Sequence, residues 1–231
     1  MLSDLDTLGM IKEVFRFFAV TLVIVSGLIG SWYLLKIQSE KQIHKTQPPE
    51  VVRQAIVSSP ISVSAESQSG SRYIETIYKN QNWSLAESPD RLLTDVLRES
   101  KSPLVVLRVL DNDPRGLALL KAELERWDLW QNLIVLSKSD KLLKDMRELA
   151  PRWAYSTGEV FLARYLSFSS LGLSGLLEVP GDAIFISNRR QLIGNEKKDI
   201  VRFAKERGTV VIFDTLNASG TPMANSIYIT P

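Results

Sequence analysis

Apolar and polar positions alternate in blocks along this chain, and the block lengths separate strands from helices. The run Leu104–Leu110 (LVVLRVL) is apolar on both alternating faces apart from Arg108, and Asp111, Asn112, Asp113 and Pro114 form a turn that ends it. Strands apolar on both faces belong to parallel sheets covered by helices, so the lone charge must be paired, reach solvent or line a site. Further strands are expected at Arg72–Tyr78, Asn132–Ser137, Trp153–Ser156, Asp182–Ser187, Thr209–Leu216 and Ser226–Thr230. Between them the spacing of apolar residues predicts helices. One is opened by Ser88 and Pro89, others cover Leu117–Trp127 and Asp140–Ala150, another runs from Gly158 to about Ser167, and the last begins at Glu196 and is closed by Gly208. Repeated strand–helix–strand units predict an α/β fold with a parallel sheet, either doubly wound or a barrel.

The first third of the chain has a different pattern. Phe17 to Leu35 contains no charged residue, and at a helical rise it is long enough to cross a hydrocarbon core of about 30 Å. Trp32 and Tyr33 at one end, with Arg16 and Lys36 bracketing the run, suit membrane interfaces. The expected organisation is an N-terminal tail at 1–16, a single uncleaved transmembrane helix at 17–36, a flexible tether at 37–71 rich in serine and proline, and a βα domain at 72–231. The positive-inside count leans towards a cytoplasmic C-terminal side by about two charges.

Composition removes several chemistries. The 231 residues are 45% hydrophobic and 23% charged with a formal net charge of +2, which gives no electrostatic footprint for nucleic acid. With no cysteine, thiolate metal sites and cysteine nucleophiles are excluded. The single histidine, His44, lies in the expected tether, where a solvated side chain is the ordinary reading. Asn188, Arg189 and Arg190 read as a solvated loop, and the interleaved charges from Glu196 to Arg207 as a solvated helix face.

The segments LVVLRVLDNDP, IVLSKSDKLLKDMRELAPRWAYSTGEVFLARYL, DAIFIS, RFAKERGTVVIFDTLN and SIYITP, in that order, resemble the C-terminal two-thirds of glycerophosphodiester phosphodiesterases. The resemblance covers Leu104 to Pro231. It implies a TIM barrel with its site at the C-terminal ends of the strands, two histidines as acid and base, and a carboxylate-bound divalent cation such as calcium or magnesium. It also implies an extracytoplasmic domain, against the charge count.

The departures from that family bear on activity. Its His-Arg-Gly and Glu-Asn-Thr motifs are absent from this sequence, and Arg108 and Leu110 stand where the family has a Glu-x-Lys pattern. Asp214 replaces the tryptophan of a Trp-Thr-Val-Asn strand end, Asn217 keeps its asparagine, and the last segment lacks its aspartate. No catalytic residue and no metal ligand is therefore assigned, and no cofactor is expected unless the chain is active, when a divalent cation would be needed. Arg108, Asp111, Asp113, Asp214 and Asn217 are the candidate pocket residues, Arg108 being expected to pair with a nearby carboxylate such as Asp111, Asp113 or Asp214. About 160 residues after the tether, against about 250 for a usual barrel, predict a truncated barrel of six or seven strands with an open edge. That edge would be covered by the segment Arg72–Tyr78, the tether, a second copy or another chain. The expectation is a membrane-anchored, catalytically degenerate binding or interaction module. The alternative is a phosphoric diester hydrolase that is divergent, using Asp111, Asp113, Asp182 or Asp214, or completed by a second chain.

Overall fold

The computed structural model describes residues 17, 20–35, 37, 49–58, 60–64, 71–99, 102–187, 192–214, 223–224 and 226–229. Nine strands are present among them: β1 (Ile61–Val63), β2 (Arg72–Lys79), β3 (Asn82–Leu85), β4 (Val105–Val109), β5 (Leu133–Leu136), β6 (Ala154–Tyr155), β7 (Ala183–Ile186), β8 (Val210–Phe213) and β9 (Ser226–Ile229). One sheet runs β1-β9-β8-β7 and the other β3-β2-β4-β5-β6, with every neighbouring pair parallel except β2 with β3.

The two sheets meet at both edges. A parallel bridge joins Ser64 to Arg72, with the Tyr73 amide donating to the Ser64 carbonyl at 3.1 Å. At the other seam Ser156 bridges Ala183, and the amides of Thr157 and Asp182 donate to the carbonyls of Ala183 and Tyr155, each at 2.7 Å. The result is a closed ring of eight parallel strands, a TIM-barrel-like architecture in which closure satisfies the edges an open sheet would expose. β3 lies outside the ring. It pairs with Thr76–Lys79 at the far end of β2, beyond the point where β1 leaves off.

Closure corrects the expected six or seven strands and the expected flexible tether, while the edge is covered by two of the expected segments, Arg72–Lys79 as β2 and part of the tether as β1. The segment 47–71 contributes both the first barrel strand, β1, and a helix, α1 (Glu50–Ser58). Val51, Val52 and Ala55 of α1 are buried against Leu104, Ile134, Ala154 and Val210, so the helix plugs the end of the barrel where the strands begin. Sequence inspection missed them because α1 spans little more than two turns and a three-residue strand shows no period to count. The barrel also economises on chain: residues 64–71 connect β1 to β2, fewer than a helical crossover uses.

The outer helices are α2 (Leu93–Glu99), α3 (Pro114–Arg126), α4 (Asp140–Leu149), α5 (Glu159–Ser170) and α6 (Gly194–Glu206). α2 begins later than the Ser88–Pro89 signal suggests, because Leu92 bridges Ser84 and the Leu85 amide donates to Arg91, which holds the intervening residues in a turn. Gly208 follows α6 at φ 66, a left-handed conformation that costs glycine little. Alternate residues of the strands split the core. Leu104, Val106, Ile134, Leu136, Phe185, Ile212 and Ile227 fill the barrel, while Val105, Leu107, Leu133 and Val135 pack under α2, α3 and α4. Ile184, Val211 and Phe213 pack under α5 and α6.

Residues 20–35 are helical and exposed. Among the described residues no helix is long and apolar enough to cross a membrane, and residues 18, 19 and 36 of the expected span lie outside them. His44, Asn188, Arg189, Arg190 and Asn217 also lie outside the described residues.

Candidate functional site at the barrel mouth

The end of the barrel where the strands finish is the end that carries chemistry in this architecture, and its character depends on the last inward-facing residue of each strand. On β2 the inward parity gives Tyr73 and Glu75; on β4 it gives Arg108. Glu75 and Arg108 are direct partners in the β2–β4 register. Arg108 Nη1 donates to Glu75 Oε1 at 2.6 Å and to the Tyr73 hydroxyl oxygen at 3.1 Å, and the Tyr73 hydroxyl donates to the same Glu75 oxygen. The Arg108 side chain is 13% exposed and that of Glu75 29%, so the pair is sheltered but not sealed.

The cluster shifts the pKa of both Arg108 and Tyr73 upward. Burial acts to lower the Arg108 pKa, but hydrogen bonding to Tyr73 and the charges of Glu75 and Asp214 outweigh it and raise the value, so the guanidinium stays charged. Burial and then donation to Glu75 raise the Tyr73 pKa well above the ordinary phenol value against the opposing pull of Arg108, so Tyr73 remains a donor. Arg108 Nε is buried and makes no hydrogen bond among the described residues.

The other candidates separate. Asp214 is buried at the end of β8, its amide donating to the Ile186 carbonyl at 3.0 Å, and its charge is felt by Arg108. Asp111 Oδ2 instead accepts from the Tyr78 amide at 2.6 Å, tying the end of β4 to β2. Asp113 is the N-cap of α3, accepting from the amides of Arg115 (2.8 Å) and Gly116 (3.3 Å), with Pro114 at the first helical position. Asp182 Oδ2 accepts from the Tyr155 amide at 2.9 Å at the opposite end of the barrel, where burial raises its pKa. The expected pairing of Arg108 with Asp111, Asp113 or Asp214 is thus corrected: its direct partner is Glu75. Glu75 and Tyr73 were not singled out in the sequence, although a polar residue at inward parity in a strand was the available signal.

The described residues do not fit a divalent cation at this mouth. Among the described residues no three metal-ligating side chains gather, the carboxylates of Asp111 and Asp113 are engaged by backbone amides, and that of Glu75 is paired with a guanidinium. The charged helix face behaves as read from sequence, with Arg202 and Asp199 forming an exposed pair at 2.9 Å.

No family model matches the sequence, and no curated protein does. Solved structures of similar fold include a glycerophosphodiester phosphodiesterase from Agrobacterium tumefaciens str. C58, at 10% identity and a TM-score of 0.47, covering 74% of this chain and 94% of that one. Another, from Parabacteroides distasonis ATCC 8503, has 11% identity and a TM-score of 0.47, covering 69% of this chain and 78% of that one. Identities and TM-scores at this level carry no conclusion about activity.

Proposed function

We propose that this chain is a membrane-anchored, catalytically degenerate relative of the glycerophosphodiester phosphodiesterases that acts as a binding or interaction module. The observation that carries the reading is the Tyr73–Glu75–Arg108 cluster, where a cation at the end of β4 is bonded to the one carboxylate facing it across the ladder. Diester hydrolysis needs a proton donor, a base and neutralisation of phosphate charge. Here the acid and the base of the related enzymes have no counterpart in the sequence, and the cluster holds its own charges in balance. Apolar residues 17–35 supply the anchor, and the domain they hold begins at Pro49.

The test uses the full chain in lipid nanodiscs, incubated with glycerophosphocholine over a series of calcium and magnesium concentrations. No turnover above the protein-free background is expected. Metal-dependent release of choline that disappears in Asp214→Asn would overturn the degenerate reading and establish a divergent hydrolase.

A further inference from the structure

Which face of the barrel meets the bilayer follows from where the chain enters the domain. Pro49 and α1 sit at the end of the barrel where the strands begin, opposite the mouth. Only residues 38–48 separate that point from the N-terminal helix, a reach of about 40 Å at full extension. The helix also touches the domain directly. Trp32 Nε1 donates to the carbonyl of Leu171 at 3.2 Å, and Leu171 is the C-cap of α5.

Each outer helix leads into the start of the next parallel strand, so the helix C-termini gather on this face. They carry an interfacial set of side chains. Leu171 is 56% exposed, Trp127 at the end of α3 is 43% exposed, and Leu149 closes α4. Arg98 lies over the Trp127 ring with its guanidinium carbon 3.6 Å from the centroid, and Arg126 approaches the same ring at 5.3 Å. An exposed indole flanked by guanidinium groups combines an apolar body with cations that meet phosphate, the combination favoured at headgroup depth. The mouth end exposes apolar Leu110, Val160 and Ile193 too, but the contact that the N-terminal helix makes, from Trp32 to Leu171, is on the strand-start face.

We infer that the barrel docks on the bilayer through its strand-start face, with Leu171, Trp127 and Leu149 at headgroup depth and the Tyr73–Glu75–Arg108 mouth turned away from the membrane. The inference rests on the anchor reading above. It orients the module so that its mouth addresses a water-borne ligand.

The native chain has no cysteine, so a single nitroxide can be placed at will. Full-length Leu171→Cys, Leu149→Cys and Ile193→Cys, each spin-labelled in nanodiscs of phosphatidylcholine and phosphatidylglycerol, are compared for relaxation by a nickel chelate carried on a lipid headgroup. Labels at 171 and 149 should relax several-fold more than the label at 193. Equal relaxation at all three sites, or greater relaxation at 193, would overturn the docking while leaving the anchor intact. Vesicle flotation reports on the anchor separately: a chain that fails to float with vesicles after alkaline carbonate overturns both. Adding Trp127→Asp to the Leu149-labelled chain should remove most of the contrast with the label at 193 without changing flotation.

Discussion

Replacing Arg108 by glutamate puts two carboxylates in direct register on β2 and β4. Neighbouring strands lie about 4.8 Å apart. At about 5 Å and an effective dielectric of about 20, two full charges repel by about 3 kcal/mol. The substitution also removes the guanidinium that now donates to Glu75 and Tyr73. Breaking a buried pair costs about 3–5 kcal/mol, and the 29% exposure of Glu75 argues for the lower end, since its carboxylate reaches water. The expected loss is therefore about 3 kcal/mol at neutral pH, measured by urea unfolding with the slope unchanged. The two acids would share a proton, which raises their folded pKa above the unfolded value. The native state then binds more protons than the unfolded chain, so the deficit should shrink as pH falls from 7 towards 5. Glycerophosphodiester turnover should remain absent. Stability within about 0.5 kcal/mol of the parent, the ordinary range of surface substitutions, would refute the pairing argument. A gain of metal-dependent hydrolysis would refute the degenerate site.

Three further outcomes test the fold and its local supports. A chain beginning at Pro49 should unfold cooperatively and stay monomeric, whereas one beginning at Arg72 lacks α1 and β1, exposes the edges of β2 and β9, and should aggregate; light scattering and circular dichroism separate the two. Gly116→Ala would place a methyl group 2.7 Å from Cγ of the Tyr78 ring, where the Trp83 indole already donates to the Gly116 carbonyl at 2.6 Å, and should cost about 1–3 kcal/mol in urea unfolding. Asp113→Ala removes the cap of α3 and should cost about 1 kcal/mol by the same measurement, while Asp113→Asn, which can still accept from the α3 amides, should recover most of it.

Particular elements show how much was legible in the sequence. β4, β5, β7 and β8 were readable as continuous apolar runs because parallel barrel strands are buried on both faces, and each is bounded by turn or helix-start residues. Boundaries drifted where tertiary bonds intervened, as at α2, whose start is delayed by the pinned turn after β3. Asp111 and Asp113 were visible as turn formers, and the structure gives them that work. Asn217 was equally visible in sequence and lies outside the described residues.

By itself the sequence determined the order of strands and helices from Arg72 onward, β3 apart, the long apolar segment near the N-terminus, and a chemistry limited by one histidine and no cysteine. These are local or compositional properties, written in periodicity and residue counts. Only the tertiary structure decided that the ring closes and that Glu75 is the partner of Arg108. Closure depends on hydrogen bonds from the Tyr73 amide to the Ser64 carbonyl and from the Thr157 amide to the Ala183 carbonyl, and a strand three residues long leaves no periodic trace. The pairing depends on β2 lying beside β4 in a register that sets residues 33 positions apart side by side, a relation that no local pattern encodes.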